Sequence, residues 1–145
     1  MTSKILIIIP VYNEEGNIKP ILKGIFHHFK KKKSILFIDD NSEDKTQLKI
    51  NECQKKHKNI FLKKRKSKLG IGSAHKFGFN WALKKNYKTI ITMDCDGTHN
   101  PKYINQMVNL LTKKNFDIVN TNRFLNKDSL KNWSYWRKFL TKSRH

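Results

Sequence analysis

Several residue types that mark common protein classes are scarce in this 145-residue chain. Its two cysteines, Cys53 and Cys95, give neither a disulfide framework nor a Cys-X-X-Cys metal pattern. No apolar run approaches the roughly 18 residues that a membrane-spanning helix needs. The apolar run at 5–11 is too short for a secretory signal and leads into polar Asn13. These absences predict one cytoplasmic domain, long enough to build a core without disulfides.

Acidic residues are also few, with 11 Asp or Glu against 31 Lys or Arg and a net charge of +20. Only four of the basic residues are Arg. Base readout and bidentate phosphate contacts favour Arg, so no nucleic-acid partner is expected. Lysine clusters at 30–33 and 63–68 suit an anionic lipid surface, at about 1 kcal/mol per basic residue. Ordinary solvated lysines explain them equally well.

Apolar stretches alternate with amphipathic ones along the chain. Strands are predicted at 4–10, 34–38, 59–62, 88–93 and 117–119. Helices are predicted at 17–29, 101–113 and 133–140, and another follows the loop at 69–73. A further helix is predicted after 34–38, with Asn41 or Ser42 as its cap and with Glu43 and Asp44 in its first turn. This order predicts an α/β fold with a mainly parallel sheet and flanking helices. In such sheets, ligands bind beyond the carboxyl ends of the strands.

Two carboxylates follow the predicted strand at 88–93. Asp94 and Asp96 are two residues apart, so on extended backbone they point to the same side. Gly97 allows a sharp turn after them, and Pro101 suits the first turn of a helix. Such a pair favours a hard cation, Mg²⁺ or Mn²⁺. The alternative is ordinary turn chemistry, which also uses Asp and Gly.

A second acidic turn makes the cation the stronger interpretation. Asp39 and Asp40 stand where the apolar run at 34–38 stops. Two strands that end in acid at the same edge of a sheet are hard to explain by packing alone. The sequence therefore predicts one polar site at this edge.

Segments in the same order resemble the family 2 glycosyltransferases of the GT-A (Rossmann-like) fold. They are Ile-Pro-Val-Tyr-Asn-Glu at 9–14, Ile-Asp-Asp-Asn-Ser at 38–42, Lys-Leu-Gly-Ile-Gly-Ser-Ala at 68–74 with Gly78, Met-Asp-Cys-Asp at 93–96 with His99 and Pro101, and Asp-Ile-Val at 117–119 with Arg123. Within the family the chain is most similar to the dolichol-phosphate or polyprenol-phosphate mannosyltransferases. The resemblance runs over 4–138 and implies one catalytic domain over 1–145.

The resemblance implies a role for each matching residue. Nucleotide-sugar binding falls to Pro10, Tyr12, Glu14, Asp39, Asp40, Gly70, Gly72 and Asp94. Asp94 and Asp96 are the implied metal ligands, with Thr98 offering a further oxygen. The alternative is structural: Pro10 ends a strand, and Asn13 and Glu14 cap the following helix, roles that are compatible with nucleotide binding.

The implied reaction is metal-dependent, inverting transfer of a sugar to a polyprenyl or dolichyl phosphate. GDP-mannose is the favoured donor, and Asp96, Arg123 and Arg137 are the implied catalytic residues. Arg123 and Arg137 suit the acceptor phosphate because guanidinium binds phosphate in a bidentate manner. Alternatives are transfer of another sugar or to another acceptor, and a nucleotide-sugar-binding remnant without turnover.

The chain departs from the family pattern in two places. Thr98 stands where the family often has Gln or Ser. Thr121 stands where the family usually has Gly. Family members also continue further, so a truncation after about residue 125 on the acceptor side is expected. The aromatic and basic segment at 133–145 then predicts either peripheral association with the cytoplasmic membrane face or a homo-oligomer.

Overall fold

A computed structural model describes residues 4–113 and 116–121. Its strands are β1 (Ile5–Val11), β2 (Lys33–Asp39), β3 (Ile60–Lys64) and β4 (Thr89–Thr92). Its helices are α1 (Ile18–His28), α2 (Thr46–Lys56), α3 (Ile71–Lys84) and α4 (Ile104–Lys113), the last preceded by a 3-10 turn at Pro101–Tyr103. The chain divides into two compact units, residues 1–105 and 106–145, and the sheet with α1, α2 and α3 lies in the first. None of the helices in these described ranges has the length and apolarity to cross a membrane.

The four strands form one parallel sheet in the order β3-β2-β1-β4. Central strand β1 is buried throughout Ile5–Ile9, as its continuous apolar run predicted. Right-handed crossovers place α1 and α2 on one face, and the reversed step from β3 to β4 places α3 on the other. All carboxyl ends therefore meet at one edge, which we call the carboxyl edge.

The predicted start of α2 is wrong. Asn41 or Ser42 was expected to cap it, with Glu43 and Asp44 in the first turn, but the helix begins at Thr46 and has no acid there. Residues 42–45 instead hydrogen bond with the loop after β1. Side-chain partners supplied by another loop outweigh local capping propensity.

The predicted fifth strand is also wrong, because residues 117–119 have no strand structure. Ile118 is 85% exposed. β-Branched residues favour a strand only where a pairing ladder and a packed face are present. The predicted helix at 133–140 lies outside the described residues.

Helix α3 packs closely on the sheet through small residues. Ala74, Gly78 and Ala82 form its buried face, at a spacing of four residues. A Cβ on Gly78 would lie 2.8 Å from Ile8 Cγ2 and 2.9 Å from Ile38 Cδ1. These distances are shorter than a packed core tolerates, so only glycine fits at this position.

We expect Gly78→Ala to lower the free energy of unfolding by about 1–3 kcal/mol, because the added methyl group must displace core side chains. Urea denaturation measures the change. Gly72→Ala is the matched control, since nothing lies within 4 Å of its Cβ position in the same helix. Its stability should be unchanged or higher by up to about 1 kcal/mol. Equal stabilities for the two variants would contradict the packing argument.

Candidate functional site

The turns that follow the strands meet at the carboxyl edge. Val11 is in register with Asp39, and the amide of Met93 donates to the Ile8 carbonyl at 3.1 Å. The sequence-predicted residues at or next to this edge are Pro10, Tyr12, Glu14, Asp39, Asp40, Gly70, Gly72, Asp94, Asp96 and Thr98. Arg123 and Arg137 lie outside the described residues. The topology therefore gathers ten of the twelve predicted side chains and glycines in one region.

Three oxygen-bearing side chains converge after β4. The Thr98 hydroxyl donates to Asp96 Oδ1 at 2.7 Å and lies 3.5 Å from Asp94 Oδ2. The Thr98 amide also donates to Asp96 Oδ1, at 3.0 Å. Gly97 makes this tight turn possible with a φ of +81°. We call Asp94, Asp96 and Thr98 the oxygen cluster.

His99 holds the oxygen cluster in shape. Its Nδ1 accepts the Asp94 amide hydrogen at 2.9 Å and lies 3.5 Å from Asp94 Oδ2. A nitrogen that accepts an N–H carries no proton itself, so this hydrogen bond assigns the Nε2–H tautomer and the carboxylate contact is not a charge pair. His99 therefore positions the backbone at Asp94.

The pKa of the Cys95 thiol is raised by its surroundings in this turn. Burial raises the pKa of its thiol to about 12, and the negative charges of Glu14, Asp96 and Asp94 contribute to the rise. Glu14 on the neighbouring turn thus acts on the same small region as the two aspartates. A concentration of carboxylates of this kind favours a bound cation.

The donor chemistry of the oxygen cluster fits Mg²⁺ or Mn²⁺. Both ions prefer carboxylate and hydroxyl oxygens, and Mg²⁺ usually binds through one or two carboxylates together with substrate phosphates and water. Among the described residues, no three His, Cys, Asp or Glu side chains form a metal-binding group. The protein therefore offers a partial shell, to be completed by ligand oxygens.

Asp39 faces its own loop. It is fully buried, and its carboxylate accepts hydrogen bonds from the Ser42 amide and hydroxyl and, at 2.7 Å, from Gln47 Nε2. The sequence grouped Asp39 with Asp40 as a nucleotide contact. Its carboxylate oxygens are engaged within the chain, so Asp39 positions the loop after β2.

Asp40, directly after β2, binds the loop at residues 68–70, which we call the glycine loop. It also forms a buried ion pair with Arg65. Its Oδ2 accepts the amide hydrogens of Leu69 at 3.2 Å and Gly70 at 3.0 Å, and its Oδ1 lies against Arg65 Nη2. Arg65 also donates to the Gly70 carbonyl at 3.0 Å and to Ser73 Oγ at 2.7 Å. The two charged side chains are more than nine-tenths buried.

The ion pair does not use all of its hydrogen-bonding capacity. Asp40 Oδ1 faces Arg65 Nη2 in the ion pair, whereas the buried Arg65 Nε has no hydrogen-bond partner in the described part of the chain. Sequence reasoning assigned no role to Arg65. Its signal was its type, as one of only four arginines and the residue directly after β3.

The glycine loop presents a cation to the turn after β1. Lys68 Nζ lies 3.7 Å from the centre of the Tyr12 ring, a cation–π contact. Gly70 adopts a φ of +83° at the start of α3, whereas Gly72 lies in the first turn of the helix beside open space. Lys68 thus covers a face of the ring on which the sequence predicted base stacking.

Glu14 serves its own turn as well. Its carboxylate accepts from Asn17 Nδ2, and its amide donates to Thr46 Oγ1 at 2.7 Å. The Asn17 amide donates a hydrogen bond to the Glu14 carbonyl at 2.9 Å, immediately before α1. The alternative prediction is wrong in both parts: the N-cap of α1 is Asn17, not Asn13 or Glu14, and Pro10 lies inside β1, one residue before its end.

Comparison with known proteins adds three findings. The sequence model for glycosyl transferase family 2 matches residues 6–144. The polyprenol monophosphomannose synthase of Mycolicibacterium smegmatis is 32% identical over 143 residues, which are 98% of this chain and 53% of that protein. The undecaprenyl-phosphate mannosyltransferase of Micrococcus luteus is 28% identical over 138 residues, 95% of this chain and 56% of that protein. The chain thus spans about half the length of the curated relatives it matches.

Solved structures share the fold at lower identity. S. aureus TarS 1–349 superimposes with a TM-score of 0.60 at 21% identity, over 85% of this chain and 40% of that one. The mannosyltransferase PcManGT of Pyrobaculum calidifontis, in complex with GDP-Man and Mn²⁺, gives 0.53 at 22% identity, over 66% of this chain and 28% of that one. At these identities the likeness establishes the fold alone.

Proposed function

Because this chain belongs to glycosyltransferase family 2, we propose that it transfers a mannosyl group from GDP-mannose to a polyprenyl or dolichyl phosphate. The parallel sheet with flanking helices, together with the structural neighbours, confirms the predicted GT-A fold. The donor and acceptor classes are suggested by the two curated relatives and by the GDP-Man complex.

The oxygen cluster carries this proposal. It combines Asp94, Asp96 and Thr98 at the carboxyl edge, where open α/β sheets bind their ligands. Bound Mg²⁺ or Mn²⁺ would offset the charge that develops on a nucleoside diphosphate leaving group. Asp94, Asp96 and Thr98 would supply the protein oxygens to the cation, and the diphosphate would supply further ones.

The nucleoside is proposed to bind between the first turn and the glycine loop. Asp40, which accepts the Leu69 and Gly70 amide hydrogens where β2 meets the glycine loop, is the proposed acceptor for a donor group of the nucleoside. The Tyr12 ring offers a stacking face once Lys68 moves off it. Pro10, Gly70 and Gly72 complete the proposed nucleotide contacts.

The acceptor needs no base from the protein. A phosphate monoester has its second pKa near about 6 and is already a nucleophile at pH 7. Attack from the side opposite the leaving group inverts the anomeric carbon. Arg123 and Arg137, which lie outside the described residues, remain the proposed partners of the acceptor phosphate.

The proposal is tested by titration calorimetry followed by a product assay. The full chain is titrated with GDP-mannose, UDP-glucose and UDP-N-acetylglucosamine, in Mn²⁺ and in EDTA. We expect GDP-mannose to bind most tightly and only weakly in EDTA, and radiolabelled mannose to pass into an organic phase when polyprenyl phosphate is added. Preference for a UDP-sugar would contradict the donor assignment. Tight binding without transfer would identify a nucleotide-sugar-binding remnant.

A further inference from the structure

Five apolar side chains are exposed along the loop and helix that begin at the candidate site. Leu69 is 60% exposed, Ile71 58%, Phe77 40%, Phe79 41% and Leu83 66%. We call Leu69, Ile71, Phe79 and Leu83 the α3 ridge, and Phe77 lies off this row of the helix. Ile71, Phe79 and Leu83 fall on one row of the helix with a spacing of four, and His75 fills the remaining position and stacks on Phe79. From Ile71 to Leu83 the row is roughly 18 Å long, at about 1.5 Å per residue.

The α3 ridge is not the core face of the helix. The fully buried residues of α3 are the small ones, Ala74, Gly78 and Ala82, and the half-buried Trp81 packs beside them on Phe61 of β3. The ridge side chains are left on the outer surface of the helix. Exposed apolar groups that form a continuous row usually mark a contact surface.

Positive charge surrounds the α3 ridge. Residues 53–93 contain twelve Lys or Arg and no Asp or Glu. The exposed side chains of Lys66, Lys68, Lys76 and Lys84 lie in the loop and helix that carry the ridge. The surface therefore pairs exposed hydrocarbon with a one-signed positive field, which is complementary to an anionic, partly apolar partner.

We propose that the α3 ridge and its lysines seat this face of the protein on an anionic lipid bilayer. Aliphatic side chains enter the boundary between headgroups and acyl chains, and lysines remain at the headgroup level. The ridge is continuous with the glycine loop, so the candidate site would lie close to the bilayer. The orientation rests on the proposed function, because a lipid-linked acceptor presents its phosphate at that level.

Other partners fit these features less well. Single-stranded RNA stacks its bases on aromatic rings, but three of the four ridge residues are aliphatic. A second copy of the chain would bring together two surfaces of the same strong positive charge.

A groove of about 470 Å³ between α1 and α2 also has several lysines, including Lys55 and Lys56, and the exposed Leu48 lies on α2. This opposite face of the sheet supplies matched controls.

Vesicle flotation of the full chain tests the proposal, using phosphatidylcholine alone and mixed with phosphatidylglycerol. We expect binding to the mixed vesicles at low salt. Leu83→Ser should lower the partition coefficient about tenfold, whereas Leu48→Ser, which removes a comparably exposed leucine from α2, should leave it within about twofold. Lys76→Ala with Lys84→Ala should likewise lower it about tenfold, and Lys55→Ala with Lys56→Ala should not.

Three outcomes would overturn the proposal. In the first, the wild-type protein does not bind the mixed vesicles. In the second, the α2 variants lose as much vesicle binding as the α3 variants. In the third, Leu83→Ser weakens binding to oligo(U) RNA but leaves vesicle binding unchanged. Circular dichroism melts confirm that the surface variants are folded. Leu83→Ser should bind GDP-mannose with the affinity of wild type. If it loses vesicle binding but keeps this affinity, the defect lies in the membrane-binding surface and not in the nucleotide site. Vesicle binding without nucleotide-sugar binding contradicts only the proposed function.

Discussion

Replacing Asp96 with Asn is expected to abolish the Mn²⁺-dependent part of GDP binding, lowering affinity in Mn²⁺ by a factor of about 100 or more. Asn lacks the negative charge and binds a hard cation poorly, so the partial shell formed with Asp94 and Thr98 fails. Asp96 is exposed, so the free energy of unfolding should change by no more than about 0.5 kcal/mol. Calorimetry in Mn²⁺ and in EDTA measures the first effect, and urea denaturation the second.

A matched variant and the metal-free arm make this test specific. Glu52→Gln removes another partly exposed carboxylate, which lies on α2 outside the oxygen cluster and pairs with Lys19, and should bind GDP like wild type. In EDTA, wild type and Asp96→Asn should have similar affinities, because only the cation-dependent contribution has been removed. Equal GDP affinity for wild type and Asp96→Asn in Mn²⁺ would contradict the assignment of the metal site.

Replacing Arg65 with Met should lower the free energy of unfolding by about 3–5 kcal/mol, because it leaves the buried Asp40 charge without its partner. Asp40→Asn should also destabilise the fold and should weaken GDP-mannose binding by about 1–3 kcal/mol. Urea denaturation gives the stability, and calorimetry below the melting temperature of each variant gives the affinity. Lys64→Met removes a neighbouring, exposed charge and should change stability by less than about 0.5 kcal/mol.

The double variant separates the ion pair from its surroundings. In Asp40→Asn with Arg65→Met no buried charge remains unpaired, and the introduced asparagine keeps an oxygen for the amides of Leu69 and Gly70. We expect its destabilisation to be smaller than the sum of the two single changes by about 1–3 kcal/mol. Additive effects would show that the ion pair is not what fixes the glycine loop.

The order of the strands and the edge at which ligands bind were predictable from local pattern. Continuous apolar runs mark strands buried on both faces, and β1 and β2 begin and end within one residue of their predicted bounds. Alternation with amphipathic helices requires parallel strands and right-handed crossovers. Asp94 and Asp96 were predicted to point to one side as on extended chain, but β4 ends at Thr92 and the two carboxylates approach each other through the Thr98 hydroxyl in a bend.

The roles of individual side chains within the site depended on partners that the local pattern does not show. Asp39 and Asp40 are adjacent, yet Asp39 binds Ser42 in the following loop and Gln47 in the first turn of α2, whereas Asp40 binds Arg65 and the glycine loop. The start of α2 was mispredicted for the same reason, since residues 42–45 bond with the loop after β1. Sequence propensity describes only a residue's near neighbours.

The sequence by itself determined the parallel sheet, its carboxyl edge and the acidic and glycine turns that gather there, because these follow from periodicity and crossover geometry. Tertiary structure alone decided that Arg65 neutralises Asp40, that Lys68 covers Tyr12, and that α3 buries Ala74, Gly78 and Ala82. Each of these depends on distances between segments that only packing sets. Close approach of α3 to the sheet excludes a Cβ at Gly78, and Ile71, Phe79 and Leu83 of that helix are left on its outer surface.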